Sequence, residues 1–478
     1  MKHISRIAPA LFAAALMVFS GCQKTDTTKG GGLPTIQWWL TGDQPANLAE
    51  GTKAINDYIG PKIGVNVEFK FFSWGDAGTR QTTMLNSGEY WDIWSLLGAN
   101  YYAWSRRGYL ADITDSLPNY PGLTQTIPQN LWDGFKVNGR IYAVPTYKDS
   151  SAAHYVIWDA ALVQKYNIDI NSMKTIADYD KALRTIKTGE GARFYPIHDA
   201  KGGTIGRFLY MLDYDSSLGS DHLGVKFSDS YGNVVSYLED PEWVNYLRYF
   251  RRWYTDGLIN PDANVIDQAS TGAAIGLAQG WTLAWDDNFA ASQGWQHAVS
   301  NLEYGPIYTT DTILAYNAIG SNSKYKEECL KFLELANTDR KLRDMLAYGV
   351  EGKDFEYVTP TTYRKLSTNW TMAAFEQATF FIMSTPDGVP NPWDEVKQLN
   401  EQARVSSIYG FVFDRTPVQN EWANCDPVWN RYKADLFTGA GDPDILVPQC
   451  LAELKANGYD KILAEAQRQL DEWRKTNG

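Results

Sequence analysis

LPTIQWWL (Leu33–Leu40), VNVEFKFFSW (Val65–Trp74) and YWDIWSLL (Tyr90–Leu97) are three short apolar runs separated by two stretches of helical character. In the second run Val65, Val67, Phe69 and Phe71 alternate with more polar neighbours, the period-two pattern of a half-buried strand. The first intervening stretch reads as a helix begun near Pro45 and ended before Gly60-Pro61, and the second as a helix over Ala77–Asn86. Strand, helix, strand, helix, strand is the signature of a parallel sheet with crossover helices, so the fold class is α/β. Ligands of such sheets gather at the carboxyl ends of the strands. Trp38, Trp39 and Trp74 sit at or just beyond such ends, where each is either a ligand-facing indole or a core residue.

Further along, Asn138-Gly139 between two apolar runs predicts a hairpin, because both turn residues tolerate positive φ. A helical character sets in after Tyr147–Ser151, which marks the first crossing into a second lobe. PEWVNYLRYFRRWYTDGLI predicts an amphipathic helix ended by Gly257. GAAIGLAQGWTLAWDDNF predicts a short buried strand entering a Trp-rich loop, NLEYGPIYT a return strand, and the segment from Lys324 to Gly349 two helices. The last helix, about Asp460–Lys475, carries Ile462, Ala466, Leu470 and Trp473 on one face.

The 478 residues carry a net charge of -12 and no basic run, which argues against nucleic acid as a partner. At 44% hydrophobic and 21% charged the chain has ample material for two or more domains. The five histidines are scattered, and Cys329, Cys425 and Cys450 show no metal-binding spacing, so no metal or cofactor is expected. Cys425 with Cys450 as a disulfide, and three buried thiols, are the two readings of the cysteines. The aromatic share of 14%, with 18 Trp and 29 Tyr, calls for flat surfaces that pack or bind.

The amino end has a distinct logic. Lys2 and Arg6 precede an apolar segment, Ile7–Phe19, of signal-peptide length and too short to span a bilayer. It stops at Ser20-Gly21-Cys22, which resembles the lipobox of bacterial lipoproteins, with Phe19 where Leu is usual. Residues 1–21 are therefore read as a lipoprotein signal peptide and 22–32 as a lipidated Cys22 on a flexible Thr-, Lys- and Gly-rich tether. Each buried methylene of the acyl chains would add about 0.8 kcal/mol of membrane affinity, and more than one chain anchors stably.

The order of landmarks resembles the extracellular solute-binding lipoproteins of ABC importers, in the sugar-binding family 1 group that includes maltose-binding protein. The pieces that carry the likeness are SGEYWDIW, GYLADITDSL, VNGRIYAVPTY, KTIADYDKALRTIK, GAAIGLAQG and YKEECLKFLELANTD. YGVEGKDFEY, FDRTPVQNEWANCDPVWNRY and LAELKANGYDKILAEAQRQLDEW are similar to a large Gram-positive-type branch with an uncharacterised C-terminal region. Arg140 replaces the Lys usual there, and WWLTGDQ replaces a small-residue loop, so the ligand of the branch does not carry over.

The resemblance implies a two-lobed, periplasmic-binding-protein-like clamp, each lobe a mostly parallel sheet flanked by helices. Lobe 1 is expected over 33–147 plus 300–345, and lobe 2 over 148–299 plus 346–478. It implies a monomer that does no chemistry, closes on ligand and docks on the transmembrane subunits of an ABC permease.

Burying a pyranose needs aromatic plates for its C–H face and carboxylates or amides around its hydroxyl rim. Trp38, Trp39 and Trp74 in the first lobe, with Trp281 and Trp285 in the second, are the expected plates. Asp43, Asp76, Asp286 and Asp287 beside them are the expected rim, which favours a carbohydrate, and several plates favour an oligosaccharide. Tyr147 either stacks on ligand or packs the hinge, and Glu351 is either a cleft residue or a solvated loop charge. The rival readings are a surface sugar receptor without transport and a secreted glycoside hydrolase with paired carboxylates.

Overall fold

The computed structural model describes residues 32–98, 100–285, 287–312 and 315–477. Cys22, the signal segment, most of the tether and Asp286 lie outside them.

The opening pattern is realised as β1 (Thr35–Thr41), α1 (Leu48–Ile63), β2 (Asn66–Phe72), α2 (Ala77–Ser87) and β3 (Ile93–Leu97), followed by α3 (Asn100–Arg106) and β4 (Ala143–Pro145). The other strands of the two main sheets are β5 (Ala152–Asp159), β6 (Ile275–Gln279), β7 (Ala298–Tyr308), β8 (Ala315–Ile319) and β9 (Arg404–Val405). The first sheet has the order β2-β1-β3-β8-β4, with β1 parallel to β2 and β3, and β8 antiparallel to β3 and β4. The helix α1 runs through Pro61, where a stop is expected. It ends at Gly64 (φ 69°), whose N–H donates to Gly60 O at 2.9 Å, so the proline costs only a bond of the last turn. The hairpin at Asn138-Gly139 has φ of 52° and 76° at its two turn residues, the positive values that select these two residue types.

The second sheet, β6-β5-β7-β9, departs from the expected mostly parallel arrangement. Its first three strands are antiparallel, and only the two-residue edge strand β9 runs parallel to β7. β6 and β7 both run antiparallel to the β5 that lies between them, and so parallel to each other, and the chain that carries β6 over to β7 includes a short helix, Asp287–Ser292.

Two large hydrophobic cores form among the described residues, with two small clusters on the second sheet. One surrounds Trp38, Trp94, Leu123, Phe332 and Leu346; the other surrounds Trp158, Phe208, Trp243, Trp253 and Leu470. They draw the lobes differently from the expected 300–345 and 346–478 division. Strand β7 pairs with β5 of the second sheet, while Leu346, Trp370, Met372 and Ala378 pack in the first core. The reason is local: the Trp370 indole N–H donates to Leu346 O at 3.0 Å, and its ring fills the space that Gly51 leaves on α1. A side chain there would stand 2.0 Å from that ring. The C-terminal stretch adds Ile408, Phe411, Trp429 and Leu470 to the second core. Cys329, Cys425 and Cys450 are buried free thiols, so the disulfide reading is not realised.

Candidate ligand cleft

Among the described residues, three stretches lead from one core to the other: Pro145 to Ala152, Tyr308 to Thr312, and the chain from Ala378 to Arg404. Backbone and side-chain bonds stitch them together. The Thr146 N–H donates to Ala315 O (2.9 Å) and the Phe380 N–H to Tyr147 O (3.0 Å). Asn400 accepts the Ser151 N–H at Oδ1 (2.9 Å) and donates from Nδ2 to Lys148 O (2.6 Å). Because Ala315 pairs with Leu97, the crossings leave from the edge where β1–β3 end. In the second sheet Gln279 pairs with His154 and Ile307 with Ala152, so the same boundary holds the start of β5 and the ends of β6 and β7. Both sheets thus present to the boundary the loops that bind ligands in α/β folds.

A groove of 560 Å³ is lined from both sides of it: Asn100, Arg106 and Arg107 on the first lobe, Leu218 and Arg415 on the second, and Asp311 on a crossing. A deeper pocket of 200 Å³ shares Asp311 and Ser217 with the groove and adds His154, Tyr210, Asp215 and Thr309. Removal from water, with the Asp215 charge beside it, pushes the Asp311 carboxyl up to about 6, against the pull of Arg415. Full burial also raises Asp215 above the usual carboxylate range, although the Ser217 N–H donates to its Oδ1 at 2.8 Å. The Ser217 and Ser406 hydroxyls stand close to this carboxylate, but its Oδ2 makes no protein hydrogen bond. Burial depresses His154 to about 3, with Arg207 pushing the same way, so the imidazole is neutral. Its ring lies flat against Tyr210 at 4.2 Å.

The expected site residues divide into several groups. Trp38 is not a ligand plate: it is fully buried, its N–H donates to Ser95 Oγ (2.7 Å) and Asn317 Oδ1 (3.1 Å), and Phe69 and Phe332 flank it. Strand alternation turns Trp39 to the other face, half-buried on Phe72 at 4.7 Å. There it joins Asp76 and Arg80 around an open cavity of 560 Å³. Asp76 accepts the Ser73 hydroxyl at 2.8 Å at the start of α2, and Asp43 is exposed just after β1.

Trp74 is 54% exposed and stacks on Phe375 at 6.1 Å, forming a plate at the ends of β1 and β2. Trp281, just beyond β6, lies 6.3 Å from Trp393, which in turn meets Phe380 at 5.2 Å. Trp285 is half-buried between Tyr155 (6.1 Å) and Phe289 (4.9 Å) and covers Gly280 closely enough to leave no room for a side chain. Tyr147 is buried against Phe381 at 4.3 Å, so it packs the crossing; burial pushes its phenol up to about 12. Glu351 is a solvated charge paired with Lys341 at 3.0 Å, in the helical layer where that ammonium lies over Tyr58 of α1.

Phe375, Glu376, Trp393, His154, Asp215 and Asp311 are site residues that sequence reading missed. Glu376 is 1% exposed, accepts the Thr41 N–H at 2.8 Å and leaves its second oxygen without a protein partner. Burial pushes it up to about 7, against the Thr41 bonds. Its only sequence signal is adjacency to Phe375.

Two lobes, three stitched crossings and polar and aromatic surfaces along the boundary define a two-lobed binding protein. The chain belongs to the bacterial extracellular solute-binding proteins, whose family model matches residues 53–377; a domain of unknown function (DUF3502) matches 407–475. It is 26% identical over 467 residues to a carbohydrate ABC transporter substrate-binding protein of Streptococcus pneumoniae, covering 93% of this chain and 92% of that one. The Lipoprotein LipO of Bacillus subtilis is 22% identical over 54% of this chain and 52% of its own. Among solved structures, the N-glycan transport solute-binding protein NgtS of S. pneumoniae superposes with a TM-score of 0.81 at 24% identity, over 93% of this chain and 100% of that one. For its complex with Man1GlcNAc the TM-score is 0.70, over 92% of this chain and 100% of that one. For the Man5GlcNAc complex it is 0.64, over 93% and 99%.

Proposed function

We propose that this protein captures an oligosaccharide between its lobes outside the cytoplasm and presents it to the permease of an ABC importer. The observation that carries the reading is the boundary itself. A groove lined by both lobes runs between them; the exposed Trp74 and the half-buried Trp281 stand just beyond strands that end at the same boundary, and Asp215 and Glu376 are buried acids, each with one oxygen that makes no protein hydrogen bond. Aromatic faces cover the C–H side of a sugar ring, and buried carboxylates accept its hydroxyls. The relatives support the ligand class, since NgtS is recorded with two mannose-containing glycans. The fall in TM-score across those three structures of one protein supports a clamp whose lobes rearrange. A ligand drives such closure only through contacts made better in the closed form.

Trp39, Trp74, Asp76, Asp43, Trp281 and Trp285 are the contacts we retain from the sequence, with Phe375 and Glu376 added. Cys22 is the lipid attachment point, holding a monomeric body at the outer face of the membrane. The protein binds without turning its ligand over.

The test follows intrinsic Trp fluorescence and melting temperature of the mature chain against neutral oligosaccharides, monosaccharides, amino acids and short peptides. Saturable stabilisation by one glycan class, with no new reducing ends over hours, is expected. Release of reducing ends would replace the binder by a hydrolase, and a response to amino acids alone would discard the sugar. Labelling with radioactive palmitate, lost in Cys22→Ala, checks the anchor.

A further inference from the structure

Arg343 is a fully buried guanidinium in the first lobe, on a helix over Arg340–Tyr348. No carboxylate forms an ion pair with it among the described residues. Asp344, its neighbour in the chain, acts on it electrostatically but accepts its own hydrogen bonds from Ser384 and Tyr357. Burial pushes Arg343 down to about 10, which shows how poorly this core suits a charge. The guanidinium donates instead to one short stretch of chain. Its Nε reaches Thr379 O (2.8 Å), Nη1 reaches Gln377 Oε1 (2.7 Å), and Nη2 reaches Ala374 O (2.9 Å) and Ala378 O (3.4 Å). An apolar side chain of similar volume fills such a space at lower cost, so packing alone does not account for the cation.

Other groups hold the same stretch. Asn317 on β8 donates from Nδ2 to Gln377 O (2.8 Å) and Glu376 O (3.3 Å), and Asn337 Oδ1 accepts the Thr379 N–H (2.9 Å). The Glu376 carboxylate is tied to the end of β1 through the Thr41 N–H. Between these held residues stands Phe375, 36% exposed and stacked on Trp74. Ala374–Glu376 is a single 3₁₀ turn, too short to keep its shape unaided.

We propose that Arg343 is a positioning residue for the Trp74–Phe375 plate: its fork fixes the turn that carries Phe375, so the plate stands formed before the glycan arrives. The proposal rests on the capture reading and deepens it. A planar group with five donors suits this task, because it grips both flanks of the turn at once, Ala374 on one side and Gln377 to Thr379 on the other. A loose turn would have to be ordered at the moment of binding, at the expense of affinity.

The experiment uses the mature chain and two variants that weaken the grip. Arg343→Lys keeps the charge without the fork, and Gln377→Met removes one acceptor and leaves Arg343 in place. Melting curves identify the folded variants; should Arg343→Lys not fold, every comparison is made in Gln377→Met. The chain is labelled with fluorotryptophan, and the Trp74 resonance is assigned by its loss in Trp74→Phe. Without ligand, that resonance is expected to shift in both variants toward its position in Phe375→Ala, while those of Trp158 and Trp253 in the other core stay in place. An unmoved Trp74 resonance in a folded variant overturns the proposal.

Calorimetry then follows binding of Man5GlcNAc and maltopentaose. Arg343→Lys is expected to weaken the better-bound probe about fivefold, the effect of ordering one or two side chains on binding. Phe375→Ala is expected to weaken it about tenfold in the wild-type background and less than about twofold beside Arg343→Lys, whereas Trp281→Ala has the same effect in both. Equal losses from Phe375→Ala in the two backgrounds would leave Arg343 a merely structural role and overturn the proposal. If wild type binds neither probe, the capture reading falls, and the Trp74 resonance alone decides whether Arg343 sets the plate.

Discussion

The carboxylate of Asp215 raises that of Asp311, although one closes a short strand of the second lobe and the other lies on a crossing between lobes. Removal from water is the larger cause of the Asp311 shift to about 6, and the Asp215 charge adds to it. Asp215→Asn is therefore expected to lower the Asp311 midpoint without returning it to the free value of 3.8. A side-chain carboxyl NMR titration reads this directly. An unmoved midpoint would mean that the two acids do not share a field.

Trp74 and Phe375 form an exposed plate, so their loss should cost binding more than folding. Trp74→Ala is expected to weaken glycan binding about tenfold, roughly the 0.5–1.5 kcal/mol of an aromatic contact plus its lost area. The melting temperature should move by no more than about 2–4 °C, the effect of about 1 kcal/mol in a large domain. Unchanged affinity in a folded variant would remove this plate from the ligand surface.

Trp38 predicts the opposite split. Its ring fills the first core and its N–H serves Ser95 and Asn317. Trp38→Phe keeps most of the ring and removes one donor, while the Ser95 hydroxyl still donates to Asn317 Oδ1 at 2.6 Å, so it should cost about 0.5–1.5 kcal/mol, and Trp38→Ala about 3–5 kcal/mol. Denaturant melts measure both. The Trp38→Phe protein that remains folded should bind glycan as wild type does.

Glu303 offers a pH test. Neither of its oxygens has a protein partner, and burial pushes it up to about 8, with Arg207 opposing. The folded state holds its proton more tightly than the unfolded chain does, so its contribution to stability is complete below about pH 4.5. That contribution is then lost as pH rises through 8. Glu303→Gln, which cannot ionise, should melt close to wild type near pH 4.5 and progressively above it between pH 5 and 8. A pH-independent difference would show that Glu303 does not titrate in this interval.

Much of the first lobe was legible in the sequence because its strands obey period two and its helices carry start and stop residues. The hairpin at Asn138-Gly139 was legible because only a few residues accept its positive φ. Which of two adjacent indoles faces inward was not, since alternation separates Trp38 from Trp39 without saying which side holds Phe332. The antiparallel second sheet was missed because its central strand, β5, stands where a helix was expected after Ser151, and because a short apolar run carries no information on strand direction. The deep pocket could not be read at all. His154, Asp215 and Asp311 share no motif or spacing, and each lies in an unremarkable local sequence; only the crossings bring them to one cavity.

The order β2-β1-β3-β8-β4 has a consequence for how the chain is made. Strand β8 sits inside the first sheet, between β3 and β4, yet it leaves the ribosome after β5, β6 and β7 of the other lobe. Until then β3 and β4 have an unfilled slot between them and the first core lacks Phe332 and Leu346. The amino-terminal lobe is thus begun first and finished late, and its growing end has to be kept from pairing with a stranger's strand while most of its neighbour is synthesised.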